Sequence, residues 1–411
     1  MRKLKADRRL IIFMNIGVDI RPLLDPIRSG IPEYTHNLLS HIFKIDRDNQ
    51  YFLFYNIFNK NREKNLPKWG YPNVFWCATH YPNKIFNLSS GVFGYPKFDR
   101  IIEERFKVRL DLFICFNYEL ISLSSRLKKI VVAHDLSFAI NPDWFSLKRR
   151  IKYQWLMNPY KFFKQADLVI AVSENTKRDL MDLYKISENK IKVIYPGVSD
   201  LTNQAEIDSL IDEATKIKLK SNEAIKEKLN LPEKFILFLG TIEPRKNILG
   251  IIKAFETWKE GSKIAEDYFL VLAGARGQAS KAIWKAIKKS PFKDKIKYLG
   301  YIDENKKFVL YRLAKLFLYP SFYEGFGFPP LEAMSCGTPV IASISSSFPE
   351  VLGDSALLVN PYDINDIVRG IEVMLENQEI RERFIKNGLE RVKIFNWEKC
   401  ALEWVNLISK F

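Results

Sequence analysis

Leu316-Phe-Leu-Tyr-Pro-Ser-Phe-Tyr-Glu-Gly-Phe-Gly-Phe-Pro-Pro-Leu-Glu332 reads as a strand, a loop and the start of a helix. Leu316–Tyr319 is a continuous apolar run of strand length, as expected of a parallel strand covered on both faces. A Gly/Pro-rich loop follows, and a short helix is expected through Leu331–Ser335 to Gly337. Gly325 and Gly327 let backbone amides approach a ligand closely, and a helix N-terminus favours an anion. Glu324 and Glu332 bracket the loop with seven residues between them. Carboxylates accept hydrogen bonds from paired hydroxyls. A diphosphate in the loop would leave one carboxylate for sugar hydroxyls and the other for a ribose diol. A plain strand-to-helix turn requires fewer glycines and prolines than stand here.

The same unit recurs along the chain. Strand-length apolar runs stand at Leu10–Ile16, Tyr51–Tyr55, Leu112–Phe116, Lys129–Ala133, Leu168–Val172 and Ile191–Ile194. A second series occupies Phe235–Leu239, Phe269–Ala273, Ile296–Leu299, Leu316–Tyr319, Val340–Ala342 and Ala356–Val359. Amphipathic helical stretches lie between the runs, and that alternation implies an α/β protein with doubly wound parallel sheets. Tyr195-Pro-Gly197 closes the first series, Thr202–Asn230 is polar and charged, and Leu231-Pro232 opens the second. The expected organisation is two Rossmann-like domains over 1–197 and 233–390, a linker over 198–232, and a final helix over 391–411. Ligands bind beyond the carboxyl ends of such strands. Two such domains would face each other across a cleft, with the chemistry in the loops after strands.

Those loops hold the other unusual residues. Phe235–Gly240 is a strand ending in glycine, followed by Thr-Ile-Glu-Pro-Arg-Lys-Asn247. Arg245 and Lys246 stand beside a helix start that Asn247 can cap, where cations oppose the helix dipole and so ask for an anion. Each charge interaction with a diphosphate is worth about 4 kcal/mol at about 4 Å and an effective dielectric near 20, before solvation is subtracted. His134, in Val131-Val-Ala-His-Asp-Leu136, is the one histidine of four at the carboxyl end of a strand read from the sequence. It can bond a donor-sugar hydroxyl, or serve only the packing. Gly30 follows the first strand and either admits a ligand or simply starts the Tyr34–Phe43 helix. Ser173 reads as a helix N-cap first and a ligand contact second. Asp46-Arg47-Asp48 spells a D-x-D metal triplet but lies between a helix and the next strand, at the wrong end of the sheet, and is expected to be a turn.

Composition narrows the classes. With 47% hydrophobic residues in 411, disorder is excluded and two or three domains are expected. Lysine and arginine total 64 against 48 acids, so the formal charge of +16 asks for an anionic partner: nucleotide, phospholipid surface or nucleic acid. The basic residues are dispersed and no recognised nucleic-acid module is present, so no nucleic-acid partner is expected. Cys77, Cys115, Cys336 and Cys400 are scattered, which argues for reduced thiols and against zinc. The apolar run after the basic Met1–Arg9 lasts five residues, Leu10–Met14, too short for a secretory signal. No run reaches the ~18 residues of a membrane span. The expected location is cytoplasmic, with peripheral contact to the inner membrane face through the basic, aromatic 145–164 segment. An ordinary packed helix with a solvated basic face explains that segment equally well.

These segments together resemble the family-4 retaining glycosyltransferases of GT-B fold, in which two Rossmann-like domains face across a cleft. The likeness runs from Gly17-Val-Asp-Ile-Arg-Pro22 to about Trp397 and is most specific over Phe235–Pro361, including Gly337-Thr-Pro-Val-Ile341 and Pro349-Glu-Val-Leu-Gly-Asp-Ser-Ala-Leu-Leu358. More narrowly, the chain is similar to bacterial O-antigen and capsule enzymes, many of them mannosyltransferases using GDP-mannose. The resemblance implies a nucleotide-sugar donor, a lipid-linked or oligosaccharide acceptor, and neither cofactor nor metal. It makes Arg245 and Lys246 the diphosphate pair, with Gly240 just before them. Glu324 falls on the donor sugar and Glu332 on the ribose. Phe326, Gly327 and Phe328 match the loop whose amides hold phosphate, and Gly325 beside them is a further candidate donor contact. His134 lies at the reacting face and Gly30 at the N-terminal glycine-loop position; Ser173, from its own place in the sequence, is a further candidate donor contact. It also implies that the final helix crosses back to the N-terminal domain. A nucleotide-sugar epimerase or sugar phosphorylase would share the fold, although no lysine for pyridoxal phosphate is identifiable. No G-x-G-x-x-G follows the first strand, which argues against an NAD enzyme.

Overall fold

The computed structural model describes residues 13–25, 30–118, 120–151, 153, 157–198, 226–277 and 279–411. The basic N-terminus through residue 12, residues 26–29 before Gly30, residues 199–225 of the expected linker, and 152 and 154–156 in the 145–164 segment lie outside the described residues.

Among the described residues, two all-parallel sheets organise the chain. The first comprises β1 (Asn15–Asp19), β2 (Gln50–Asn56), β3 (Val74–Thr79), β4 (Leu112–Cys115), β5 (Lys128–Ala133), β6 (Leu168–Ala171) and β7 (Ile191–Val193), in the order β3-β2-β1-β4-β5-β6-β7. The second comprises β8 (Lys234–Leu239), β9 (Tyr268–Ala273), β10 (Ile296–Gly300), β11 (Leu316–Tyr319), β12 (Val340–Ser343) and β13 (Leu357–Val359), in the order β10-β9-β8-β11-β12-β13. Both sheets wind outward in two directions from a central pair, so each has a topological switch point: between β1 and β4, where Ile16 is in register with Leu112, and between β8 and β11, where Leu316 is in register with Ile236. Such crevices are where α/β sheets bind ligands. All four residues of β4 and of β11 are buried, because helices cover both sheet faces. Burying each such large apolar side chain contributes about 1.5–3 kcal/mol.

Two strands differ from the sequence reading. β3 carries no clear apolar run: Val-Phe-Trp-Cys-Ala-Thr is a half-buried edge strand, with Phe75, Trp76 and Ala78 only partly covered. β1 begins at Asn15 and includes Gly17 and Asp19, several residues beyond the start of the run that announces it.

The Trp397–Ile408 helix packs against the Gly30–Ile45 helix of the first sheet's layer. Asn396 caps it by accepting from the backbone N–H groups of Glu398 (2.7 Å) and Lys399 (3.2 Å). Trp404, fully buried, donates from its indole nitrogen to the Tyr34 hydroxyl at 3.3 Å, and the Trp397 ring meets Tyr34 edge-on at 5.8 Å. The chain end thus clamps the two halves together.

Candidate active site

The two switch points open onto one cleft of about 960 Å³, lined by Arg21, Gly30, His134 and Arg149 on one side and by Gly240, Lys246, Glu324 and Glu332 on the other. That size suits a small-molecule site.

The loop after β8 and the loop after β11 meet in a buried ion cluster. Glu324 lies between two cations: Arg245 Nη1 stands 3.1 Å from its Oε2, and Lys246 Nζ bonds its Oε1. Arg245 also pairs with Glu243 at 3.1 Å and approaches Asp135 of the opposite domain at 3.6 Å. Burial disfavours ionising Glu324, but Lys246 and Arg245 outweigh it and hold the carboxyl below its usual range. Burial, and then the adjacent Arg245 charge, push the Lys246 ammonium below its usual range although Glu324 pulls the other way. Among the described residues Lys246 has one carboxylate partner, Glu324, whereas Arg245 has three. Asn247, at φ 56°, caps the Ile248–Gly261 helix through a 3.2 Å bond from the Gly250 N–H.

The loop following Glu324 presents donors. Among the described residues, no protein acceptor meets the backbone N–H of Gly325, Phe326, Gly327 or Phe328. The next helix, Phe328–Ser335, starts with Gly327 at φ 101° and no side-chain cap. Pro329 and Pro330 have no N–H, so the donors of this helix start are concentrated in the loop itself.

The loop is gripped from the other domain. A β-carbon on Gly325 would fall on the His134 carbonyl oxygen, so only glycine permits this approach. Ser173 accepts from the Thr176 N–H at 3.0 Å as an N-cap and donates from its hydroxyl to the Gly325 carbonyl at 2.6 Å. The Tyr323 hydroxyl donates to Asp179 at 2.5 Å. Glu350 accepts from the first amides of the Glu174–Tyr184 helix, Glu174 at 2.8 Å and Asn175 at 3.2 Å.

Glu332 is held differently. Lys307 Nζ lies 2.7 Å from Oε1, and the Tyr311 hydroxyl donates to Oε2 at 2.7 Å. His134 is buried, and desolvation lowers its pKa to about 4 although the Phe116 carbonyl favours the protonated ring. Its Nε2 faces that carbonyl at 2.8 Å, so Nε2–H donates and Nδ1 is the acceptor. Tyr34 meets the imidazole edge-on at 5.0 Å.

The structure therefore brings Gly30, His134, Gly240, Arg245, Lys246, Glu324, Gly325–Phe328 and Glu332 to one cleft. Ser173 stands behind the loop, fully buried, and does not line the cleft. Asp135, Glu243, Lys307 and Tyr311 join the cluster without having been singled out in the sequence. Asp135 follows the histidine directly and was within reach of the same reading. Lys307 and Tyr311 sit on an ordinary-looking helix, Glu304–Leu313. Asp46 of the D-x-D triplet accepts from Asp48 N, Asn49 N, Asn49 Nδ2 and the Tyr51 hydroxyl, a self-contained turn. Among the described residues no group of three or more His, Cys, Asp or Glu side chains is arranged to hold a metal ion, and no helix is long and apolar enough to cross a membrane.

Comparison with known proteins matches the same two halves. Residues 30–200 fit the model described as Glycosyltransferase Family 4, and residues 220–391 fit Glycosyl transferases group 1. The chain is 32% identical over 287 residues to O-antigen chain mannosyltransferase B of Escherichia coli, a match covering 69% of this chain and 71% of that protein. Against the serotype-specific mannosyltransferase WbdA of Escherichia coli it is 29% identical over 67% of its own length, but spans only 32% of that larger protein. Sucrose-phosphate synthase from Thermosynechococcus elongatus has a similar fold, with TM-score 0.70 at 20% identity, over 97% of this chain and 98% of that one. So does Anabaena HepE in complex with UDP and glucose, with TM-score 0.68 at 17% identity, over 97% and 100%. Sheet order, cleft and relatives agree: the chain belongs to the family-4, group-1 glycosyltransferases and has the GT-B fold.

Proposed function

We propose that this glycosyltransferase moves a hexose, mannose from GDP-mannose, with retention of configuration and without a metal, onto a lipid-linked or growing surface-polysaccharide acceptor. The observation that carries the reading is the pair Arg245 and Lys246 beside four backbone amides that, among the described residues, have no protein acceptor. That arrangement matches the leaving diphosphate, whose charge develops as the glycosidic bond breaks. Mannose and the surface-polysaccharide acceptor are supported by the named relatives. The epimerase, phosphorylase and nucleic-acid readings rest on fold or net charge alone and find no support there.

In this reading the diphosphate takes the amides of Gly325–Phe328 and the charges of Arg245 and Lys246. Glu324 is released in part from its two cations and accepts hydrogen bonds from the donor sugar. Glu332, held in place by Lys307 and Tyr311, accepts from the ribose diol. His134, neutral, offers Nδ1 to a sugar hydroxyl. The acceptor hydroxyl enters on the same face as the leaving group, so no carboxylate forms a covalent bond and catalysis is positioning plus leaving-group electrostatics. A panel of GDP- and UDP-sugars incubated with the protein in EDTA tests it. Release of nucleoside diphosphate from GDP-mannose is expected. Release that requires an added divalent ion, or that follows another donor, contradicts the metal-free or the mannose part respectively.

A further inference from the structure

One face of the N-terminal domain is built the wrong way round for a soluble surface. After Pro82 the chain forms a helix over Asn83–Leu88 that runs into a π-helical turn over Ser89–Phe93. Phe86 and Ser90 point inward and are buried, and Phe86 is fixed by stacking on Phe98 at 5.2 Å and on Tyr81 at 5.5 Å. Ile85, Leu88 and Val92, at i, i+3 and i+7, project to solvent together, and Phe93 and Tyr95 follow. Ile85 is 67% exposed and Phe93 77%. Scattered exposed apolar residues need no explanation, but five large ones within eleven residues do.

The surroundings select the partner. From Asn56 to Lys97 the sequence holds six lysines and arginines and one acid, Glu63. Lys84 and Arg62 are exposed. A second copy docking on itself through this face would bring like charges together, whereas an anionic bilayer is complementary to apolar and aromatic side chains rimmed by cations. The face also reaches the active site. Phe58 and Ile85 line an apolar side cavity of about 430 Å³ whose Arg62 and Asn83 also line the main cleft. The 145–164 segment buries more of its aromatic residues, although Leu147, Ile151 and Tyr160 stay exposed. Phe145 and Phe163 are buried, Tyr153 stacks on Phe138 at 4.7 Å, and the Arg149 guanidinium lies 5.0 Å from the Phe145 ring centre at the cleft wall.

We infer that Ile85, Leu88, Val92, Phe93 and Tyr95 form the face that seats this protein on an anionic bilayer. Resting on the proposed transfer, the face then admits a membrane-anchored acceptor past Arg62 and Asn83 into the cleft. Co-sedimentation of the full chain with phosphatidylcholine vesicles, with and without phosphatidylglycerol, tests the face at low salt. Wild type should sediment with the anionic vesicles, and Leu88→Asp/Val92→Asp/Phe93→Asp should lose at least about tenfold in partitioning. Lys84→Gln should lose about fivefold. Melting temperature and nucleoside-diphosphate release should not change, and Phe93→Asp alone repeats the test with the smallest perturbation. Wild type that ignores anionic vesicles, or a triple variant that binds them equally well, overturns the inference. A wild-type dimer that the triple variant dissolves, without vesicle binding, overturns it in favour of a second copy. Vesicle binding that follows the face while donor turnover is absent in every variant supports the face and removes the transferase reading.

Discussion

Glu324 stands in the loop after β11 and Glu332 in the helix that follows, and both are buried, yet their partners differ. Glu324 faces two cations that sit next to each other in sequence and is reached from the other domain through Asp135, which shares Arg245. Glu332 is held by one cation, Lys307, which Glu33 of the other domain approaches at 3.8 Å, and by one neutral hydroxyl. In the proposed reaction the first environment offers two cations to the leaving anion, and the second sets geometry. The difference teaches that a repeated residue type at a regular spacing can divide into an electrostatic role and a positioning role, which separate in kinetics as kcat against KM.

The largest expected effect tests the electrostatic side. Glu324→Gln should lower kcat by about 10²–10³-fold with donor KM within a fewfold, because it removes the carboxylate that orients both the reacting sugar and the two cations. A variant that keeps full transferase activity breaks the comparison at its first term. Next is the histidine whose carbonyl abuts Gly325. Its folded pKa of about 4 lies below the unfolded value, so the unfolded chain takes up the proton first as pH falls. Its stability contribution is present above about pH 6.5 and is lost between there and pH 4, up to about 3 kcal/mol. Chemical denaturation of wild type and His134→Gln across that window should show the difference, and parallel pH profiles would contradict it.

On the positioning side, Glu332→Gln should raise donor KM about tenfold, the loss of charge-assisted hydrogen bonds, and leave kcat comparatively unmoved. An equal fall in kcat for both glutamine variants would erase the distinction. The smallest effect is expected from Ser173→Ala, which removes the hydroxyl bond to the Gly325 carbonyl. A loss of about 1 kcal/mol in stability and a fewfold fall in kcat are expected, measured by thermal melts and steady-state turnover.

How much of this was legible follows from where each residue sits. Arg245, Lys246 and Glu324 lie within a few residues of apolar runs that end in glycine or proline, so the strand ends could be placed and the chemistry followed. The parallel alternation likewise announced both sheets. β3 was missed because an edge strand is half-covered and needs no continuous apolar run. Lys307 and Tyr311 were missed because Lys-Lys-Phe-Val-Leu-Tyr is ordinary amphipathic-helix sequence; only the packing of Glu304–Leu313 against the Phe328–Ser335 helix brings them to Glu332. Ser173 was read as a cap, which it is, but its second bond joins residues 152 apart, a separation at which no local pattern reports.

The central claim is that Lys246, Arg245 and the Gly325–Phe328 amides hold a nucleoside diphosphate unaided by metal. Calorimetric titration of GDP into wild type and Lys246→Ala, both in EDTA, tests it most directly. Binding by wild type that weakens at least about tenfold in the variant is the predicted result. No binding by wild type in EDTA, or equal affinity for the two proteins, would contradict it.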